Sequence, residues 1–355
     1  MNQPDSPGFD PALTGSADFF NDTATTEIYT SRLAIIPVPW EVTTSYGNGT
    51  SRGPEAIRRA SPQLDLHLRH LPDHYRQGFH LLAEDPEIAE LNARFKPVAE
   101  SIQAHLEEEG NLDGRADLVA ALAEVNAASR RVNELVYRHS RDLDGAGKLV
   151  ALVGGDHSSP YGLIRHLAEK YRSELGVLHI DAHHDLRDGY QGFRFSHASI
   201  FHNVMNLSAA PGRLVQVGIR DFSAEECRLA EADPRIAVFY DEDIKDALYA
   251  GKPYAEIAAE IVAALPANVY VSFDIDGLRP DLCPHTGTPV AGGLEFDQAR
   301  YLIAALVSSG RRIVGFDLCE VCPDPLNPDN EWDGNVGARI LFLLASWMME
   351  SQRRD

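Results

Sequence analysis

The stretch GVLHIDAHHDLRD, residues 176–188, sets the architecture of the chain. Gly176 to Ile180 is an apolar run with no polar alternation, the pattern of a strand buried on both faces. The run gives out at Asp181, and Asp181, His183 and Asp185 follow at alternate positions. In extended backbone alternate side chains point the same way, so these three gather as one cluster of oxygen and nitrogen donors. Such a cluster is suited to gripping a metal ion. A buried strand with polar groups at its carboxyl end predicts an α/β fold with its chemistry beyond the strand ends.

The pattern repeats outward along the chain. Short apolar runs occur at 33–39, 148–155, 213–219, 235–239, 268–274 and 312–317, and segments with helical spacing lie between them at 160–174, 253–265 and 294–310. Alternating strands and helices imply βαβ units and a mostly parallel central sheet covered on both faces. Residues 86–141 are helical in pattern and charged, and read as a two-helix excursion with a structural role. With no repeat and no low-complexity linker, one domain over 31–350 is expected. Residues 1–30 are set apart as an N-terminal segment, disordered or in part a sequencing artefact. Within it FFNDTATTEIYT (19–30) resembles the conceptual translation of a sequencing adapter.

The 355 residues carry 53 acidic against 32 basic side chains, a formal charge of -21. That field repels phosphate backbones and anionic lipid and draws cations, so no nucleic-acid partner is expected. Cys227, Cys283, Cys319 and Cys322 are too few for a disulfide framework, which points to a reducing compartment, by default the cytoplasm. Cys319 and Cys322 form a C-x-x-C, but no second pair completes a four-ligand zinc site. No run approaches the ~18 apolar residues of a membrane span, and no basic stretch leads an apolar core at the N-terminus. A soluble chain with no membrane partner is expected.

Two further strand ends carry chemistry. GGDHSSPYG (154–162) places His157 at a strand exit, and SFDIDG (272–277) places Asp274 and Asp276 two apart at another. A single aspartate after a strand reads as a cap or an Asx-turn. Four carboxylates converging on one sheet edge are different: they repel one another and take up protons unless cations sit among them. Oxygen-rich donors with a minority of imidazole suit ions such as Mn(II), whereas zinc prefers more nitrogen or sulfur. Six donors exceed what one such ion needs beside a reactive water, so two ions sharing carboxylates, roughly 3.5–4 Å apart, are expected.

Together GGDHS (154–158), DAHHD (181–185), SFDIDG (272–277), TGTPVAGG (286–293) and DLCEVCP (317–323) resemble the motifs of the ureohydrolase family of arginases, agmatinases and related guanidino hydrolases. PVPWEVTTSYGNGTSRGPEAIRRAS (37–61) is similar to that family's N-terminal segment, so the resemblance spans nearly all of 33–346. It implies a three-layer α/β/α domain, two Mn(II) ions with Ni(II) as the alternative, and a homo-oligomer, a trimer or hexamer. One ion would be held by His157, Asp181, Asp185 and Asp274, the other by Asp181, His183, Asp274 and Asp276. The reaction implied is attack of a metal-bridging hydroxide on a guanidinium carbon to give urea and an amine, with Asp276 moving the proton. Glu320 matches the acid that grips the guanidinium. His197 matches a histidine that binds substrate or shuttles protons, and imidazole titrates in the useful range. His184 holds the motif's variable position and is not read as a ligand. His179 reads as a satisfied core histidine.

Arginine-specific relatives place Asn and Ser donors after D-A-H-x-D, whereas this chain reads LRDGYQGFRFSHAS (186–199). A small cationic guanidino substrate without a carboxylate is therefore expected, agmatine first. The alternatives are a guanidine hydrolase, with Trp40, Tyr190 or Phe193 as aromatic walls, and a formiminoglutamase, with Arg187 receiving a carboxylate. From another class, a non-catalytic polyamine-binding or sensor protein would use the same fold. Two residues depart from the family pattern. Arg279 precedes Pro280 where an aspartate is usual, and His285 stands where a glycine is expected. Asp281 is the candidate to replace the missing acid, and a basic Arg279 beside the ions is expected to disturb them.

Overall fold

All of the apolar runs become parallel strands of one sheet. The computed structural model describes residues 19–21, 30–72 and 74–353. Its strands are β1 (Leu33–Val38), β2 (Phe79–Leu81), β3 (Leu149–Gly154), β4 (Leu175–Ile180), β5 (Arg213–Ile219), β6 (Ile236–Tyr240), β7 (Asn268–Asp274) and β8 (Arg312–Cys319). They lie in the order β2-β1-β3-β8-β7-β4-β5-β6, every pair parallel. Three residues of edge strand, Phe79–Leu81, are too short to show as an apolar run and have no counterpart in the sequence reading.

Helices α1 (Gly53–Ala60), α2 (Pro86–Glu109) and α3 (Ala116–Gly145) precede β3, and α4 (Tyr161–Tyr171) joins β3 to β4. Then α5 (Ile200–Met205) precedes β5, α6 (Ala224–Ala232) precedes β6, and α7 (Asp241–Tyr249) and α8 (Tyr254–Ala263) precede β7. After α9 (Phe296–Ser308) and β8, α10 (Trp332–Ser351) ends the described chain. The expected excursion is the α2–α3 pair.

Successive strand residues serve opposite layers, as a pleat requires. Ile35, Ala151, Val153 and Leu178 join α1 and α7–α10 in one core, while Ile36, Leu152 and Val177 join α2–α6 in the other. Burying each of the Val, Leu and Ile side chains is worth about 1.5–3 kcal/mol, which is why these strands carry apolar residues on both faces. The result is the three-layer α/β/α fold expected from the sequence. Among the described residues no helix is long and apolar enough to cross a membrane.

Within the N-terminal thirty residues, Phe20 stands edge-on to Phe79 with centroids 5.1 Å apart and donates its N–H to Ser61 Oγ at 2.8 Å. Residues 1–18 and 22–29 of that segment lie outside the described residues.

Candidate metal centre and active site

β3, β8, β7 and β4 are consecutive neighbours in the sheet, so their carboxyl ends bring residues 157, 320, 274 and 181 to one place. The turns that present them are built by the same acids. Asp181 Oδ1 accepts from the His183 N–H (2.6 Å) and Asp274 Oδ1 from the Asp276 N–H (2.8 Å), closing Asx-turns. The plain structural role of these aspartates and their place in the cluster therefore coexist. At the exit of β3, a Cβ on Gly155 would lie 2.2 Å from the Trp40 carbonyl, so only glycine lets the two segments cross there.

All six residues expected to hold metal meet. His157 Nδ1 lies 2.9 Å from Asp181 Oδ2, 3.1 Å from Asp185 Oδ2 and 3.3 Å from Asp274 Oδ2. His183 Nδ1 lies 3.4 Å from Asp181 Oδ1 and 3.2 Å from Asp276 Oδ2. Asp181 thus spans the two imidazoles with its two oxygens. Five of the six are buried, and His183 is partly exposed.

The electrostatics are those of a site that wants cations. Burial and the charges of Asp276 and Asp181 push Asp274 well above the usual carboxylate range. Burial and the Asp181 charge push Asp185 up to about 7. Burial works against Asp181 too, yet His179, His157 and His183 around it hold it well below its ordinary value. In turn the carboxylates outweigh burial and raise His157 and His183. Protons do here what divalent ions would do better, and two imidazoles with four carboxylates are a donor set fitted to them.

The residue that fixes His157 is one the sequence reading missed. His157 Nε2 faces Ser272 Oγ at 2.9 Å, and Ser272 donates to Asp317 Oδ2 at 2.8 Å. This leaves Nδ1 turned to the cluster. Asp281, the acid expected in such a role, is instead on the surface, paired with Arg279 at 2.9 Å. Arg279 also pairs with Glu295 at 2.7 Å and reaches none of the cluster. The expectation that it disturbs the ions is overturned, because the chain turns its side chain outward after Leu278 is buried. Arg279→Ala should change kcat/KM less than about twofold and leave the melting temperature close to native, since its ion pairs are exposed. Urea-release kinetics and thermal melts check both. His285 serves a local purpose, with its ring on Asp333 at 2.8 Å at the start of α10.

Beside the cluster lies a cavity of about 160 Å³, lined in part by Ser45, His183, Asp185, Tyr190, His197 and Asp221. His197 Nε2 is 3.5 Å from Ser45 Oγ, and its backbone N–H donates to Thr43 Oγ1 at 3.1 Å. Burial, reinforced by repulsion from His183, lowers its pKa to about 3. That shift favours the neutral imidazole, which can hydrogen-bond a ligand from the cavity wall. Of the three aromatic walls considered, only Tyr190 lines the cavity, because Trp40 and Phe193 are core residues.

Glu320 is buried and is not among the residues that line the cavity. Its Oε1 accepts from the His157 N–H at 3.0 Å, while the buried Oε2 has no partner among the described residues. Gly287 borders that free oxygen, and a Cβ there would come within 2.9 Å of it. Burial and the charge of Asp156 raise the Glu320 carboxyl well above its usual range. Glu320 (φ 64°) and Asp185 (φ 55°) both hold left-handed backbone, at about 1–2 kcal/mol each.

The helical excursion supports the roof of the site. From α2, Lys96 donates to the Glu41 carbonyl (3.1 Å) and to Thr44 Oγ1 (2.5 Å), and Gln103 donates to the Thr44 carbonyl (3.0 Å). Thr43 and Ser45, which contact His197, ride on that loop.

Parallel strands that deliver buried carboxylates and imidazoles to one edge define an α/β/α protein with a metal-type centre. Residues 31–345 match the model of the Arginase family, and the chain belongs to that family of ureohydrolases, which act on guanidino compounds. The chain is 34% identical over 297 residues to an N(1)-aminopropylagmatine ureohydrolase of Thermus thermophilus, covering 83% of this chain and 84% of the relative. It is 32% identical over 290 residues to the agmatinase of Proteus mirabilis, covering 81% and 79%. Its fold matches the crystal structure of a hypothetical agmatinase from Burkholderia thailandensis with a TM-score of 0.68, over 97% of this chain and 93% of that one at 22% identity.

Proposed function

We propose that the chain hydrolyses agmatine to putrescine and urea. The observation that carries this reading is the free, buried Oε2 of Glu320 beside the histidine–aspartate cluster. A carboxylate oxygen kept dry and unpaired is expensive unless a ligand pairs it, and guanidinium offers two parallel N–H donors. His157, Asp181, Asp185 and Asp274 would hold one divalent ion, and Asp181, His183, Asp274 and Asp276 the other. Two such ions, Mn(II) or alternatively Ni(II), would make a water acidic enough to be a nucleophile at neutral pH. The residues do the rest. Glu320 orients the planar group, and Asp276 Oδ2 takes the proton from the attacking water and returns it to the leaving nitrogen. Neutral His197 hydrogen-bonds the substrate from the cavity wall, and Tyr190 and the Thr43–Ser45 loop keep bulk water out.

One observation favours a longer cation as a second reading. Asp221 lines the cavity yet its side chain is 70% exposed, so it stands at the mouth, where a further ammonium of aminopropylagmatine would reach it. Other readings have less support. Among the described residues, Tyr190 is the one Phe, Tyr or Trp that lines the cavity, short of the aromatic cage expected for free guanidine. Arg187 does line it, but its Nε lies 3.3 Å from Glu226 and its guanidinium stacks over Tyr190. All six donors are together, which tells against a sensor that has lost its chemistry. A cytoplasmic homo-oligomer, trimeric or hexameric, belongs to the same proposal.

Urea release from agmatine, aminopropylagmatine, guanidinobutyrate, arginine and guanidine tests it, using chelated protein given Mn(II) or Ni(II). Agmatine or its aminopropyl derivative should be turned over fastest, and no urea from any of them would favour the binding protein.

Chelation should also cost stability in a pH-dependent way. In ion-free protein Asp185 binds its proton up to about 7, against 3.8 ordinarily. Between those values the folded chain holds the extra proton, so this group's contribution to stability falls as pH rises through that window. A cation replaces the proton. At metal near 100 times Kd the gain is about 2.7 kcal/mol, and thermal melts should show a larger metal-induced rise at about pH 7.5 than at about pH 5.5.

A further inference from the structure

The motif HIDAHHD (179–185) holds three histidines, and two of them, His179 and His184, lie outside the proposed set of metal donors. Both are fully buried, and so is Gln216, which pairs with His179 across β4 and β5. Gln216 Nε2 lies 2.8 Å from the His184 backbone carbonyl and 2.9 Å from His179 Nδ1, while Gln216 Oε1 lies 2.6 Å from His184 Nδ1. His179 Nε2 in turn lies 2.7 Å from Asp181 Oδ2.

The direction of every hydrogen bond in this chain follows from one atom. A backbone carbonyl only accepts, so the end of the Gln216 amide facing it is the NH2 group. The amide oxygen then faces His184 Nδ1, which must carry a hydrogen. The second amide hydrogen points at His179 Nδ1, which must be a bare lone pair. The one ring hydrogen of neutral His179 is therefore on Nε2, and it is donated to Asp181 Oδ2. Phe201 stacks on His179 at 4.1 Å and Phe222 and Tyr240 flank His184 at 5.2 and 5.7 Å, so neither ring is free to turn.

We propose that His179, Gln216 and His184 form a relay of positioning residues that fixes the orientation of Asp181, the carboxylate shared between the two proposed ion sites. The relay rests on the reading of the cluster as a metal centre. It holds Oδ2 toward His157 and leaves Oδ1 toward His183, and it does so with neutral groups that add no positive charge to the cluster. Such outer partners are worth about 10–100-fold in metal affinity.

Gln216→Glu is the sharp test. A carboxylate there removes the donor to His179 Nδ1, which must then take the ring hydrogen and leave a lone pair on Nε2 facing Asp181. Mn(II) titration of chelated protein by calorimetry should show affinity weakened about 10–100-fold, with kcat at saturating Mn(II) within about threefold of native. His184→Phe keeps an aromatic ring and removes the hydrogen bond to Gln216. It should weaken Mn(II) binding by a smaller factor. Native-like circular dichroism accompanies both results. Nitrogen-15 NMR of the native, metal-free protein should show His179 in the Nε2–H tautomer, a readout that needs no variant. Unchanged Mn(II) affinity in both variants, or His179 in the Nδ1–H tautomer, overturns the relay while leaving the metal centre standing. Absence of Mn(II) or Ni(II) binding by native protein overturns both.

Discussion

Asp276→Asn should fold normally and lose at least about 10³-fold in kcat, the scale of a removed general base combined with a damaged ion site. The substitution is close to isosteric. Asp276 Oδ1 accepts from the Ala182 N–H at 3.0 Å, and an amide oxygen can keep that bond. Oδ2 is the atom that changes: it faces His183 Nδ1 at 3.2 Å and accepts from Thr288 Oγ1 at 3.4 Å. An NH2 group there carries no negative charge and cannot take a proton. Elemental analysis should find fewer than two divalent ions per chain, alongside the loss of urea release. Should the variant keep more than a tenth of native turnover, Asp276 is not the proton carrier.

The second large effect is at Glu320. In Glu320→Gln the amide oxygen can still accept from the His157 N–H, but an NH2 replaces the free Oε2 and points donors at the donors of a guanidinium. Losing a charge-assisted pair and gaining a clash of donors costs about 3–4 kcal/mol, or about 10²–10³-fold in kcat/KM. Stability should move the other way. The folded pKa of Glu320 is raised by burial, so its charge destabilises the fold once pH exceeds its unfolded value, and removing it relieves that cost. A higher melting temperature for chelated Glu320→Gln than for chelated native protein at about pH 8 is the companion measurement. Lower activity with lower stability would mean that the residue is structural.

Parity and proximity made the centre readable. Asp181, His183 and Asp185 announce themselves because they alternate along one chain, as do Asp274 and Asp276, and each set follows an unmistakable buried strand. Residues whose roles depend on distant partners did not show. Asp317 is a lone acid inside β8 until Ser272, 45 positions away, is seen between it and His157. Lys96 reads as one more charge on an amphipathic helix until its ammonium is found under the Thr44 loop. Gln216 reads as a polar break in an apolar strand. The downward shift of the His197 imidazole comes from its packing, which spacing does not encode. Arg279 misled for the complementary reason: nearness in sequence to Asp276 was taken as nearness in space, and one buried residue, Leu278, sends it outward.

The strand order bears on how the protein is made. His157 and Asp276 lie 119 positions apart, and their strands β3 and β7 are joined in the sheet only through β8, which is translated after both. A nascent chain therefore cannot assemble the centre until β8 has left the ribosome, and long-range parallel pairing is slow. Cations that bind only the finished arrangement act after the folding barrier, so they slow unfolding without speeding refolding. Lifetime in the cell, more than yield of synthesis, is what metal supply should govern.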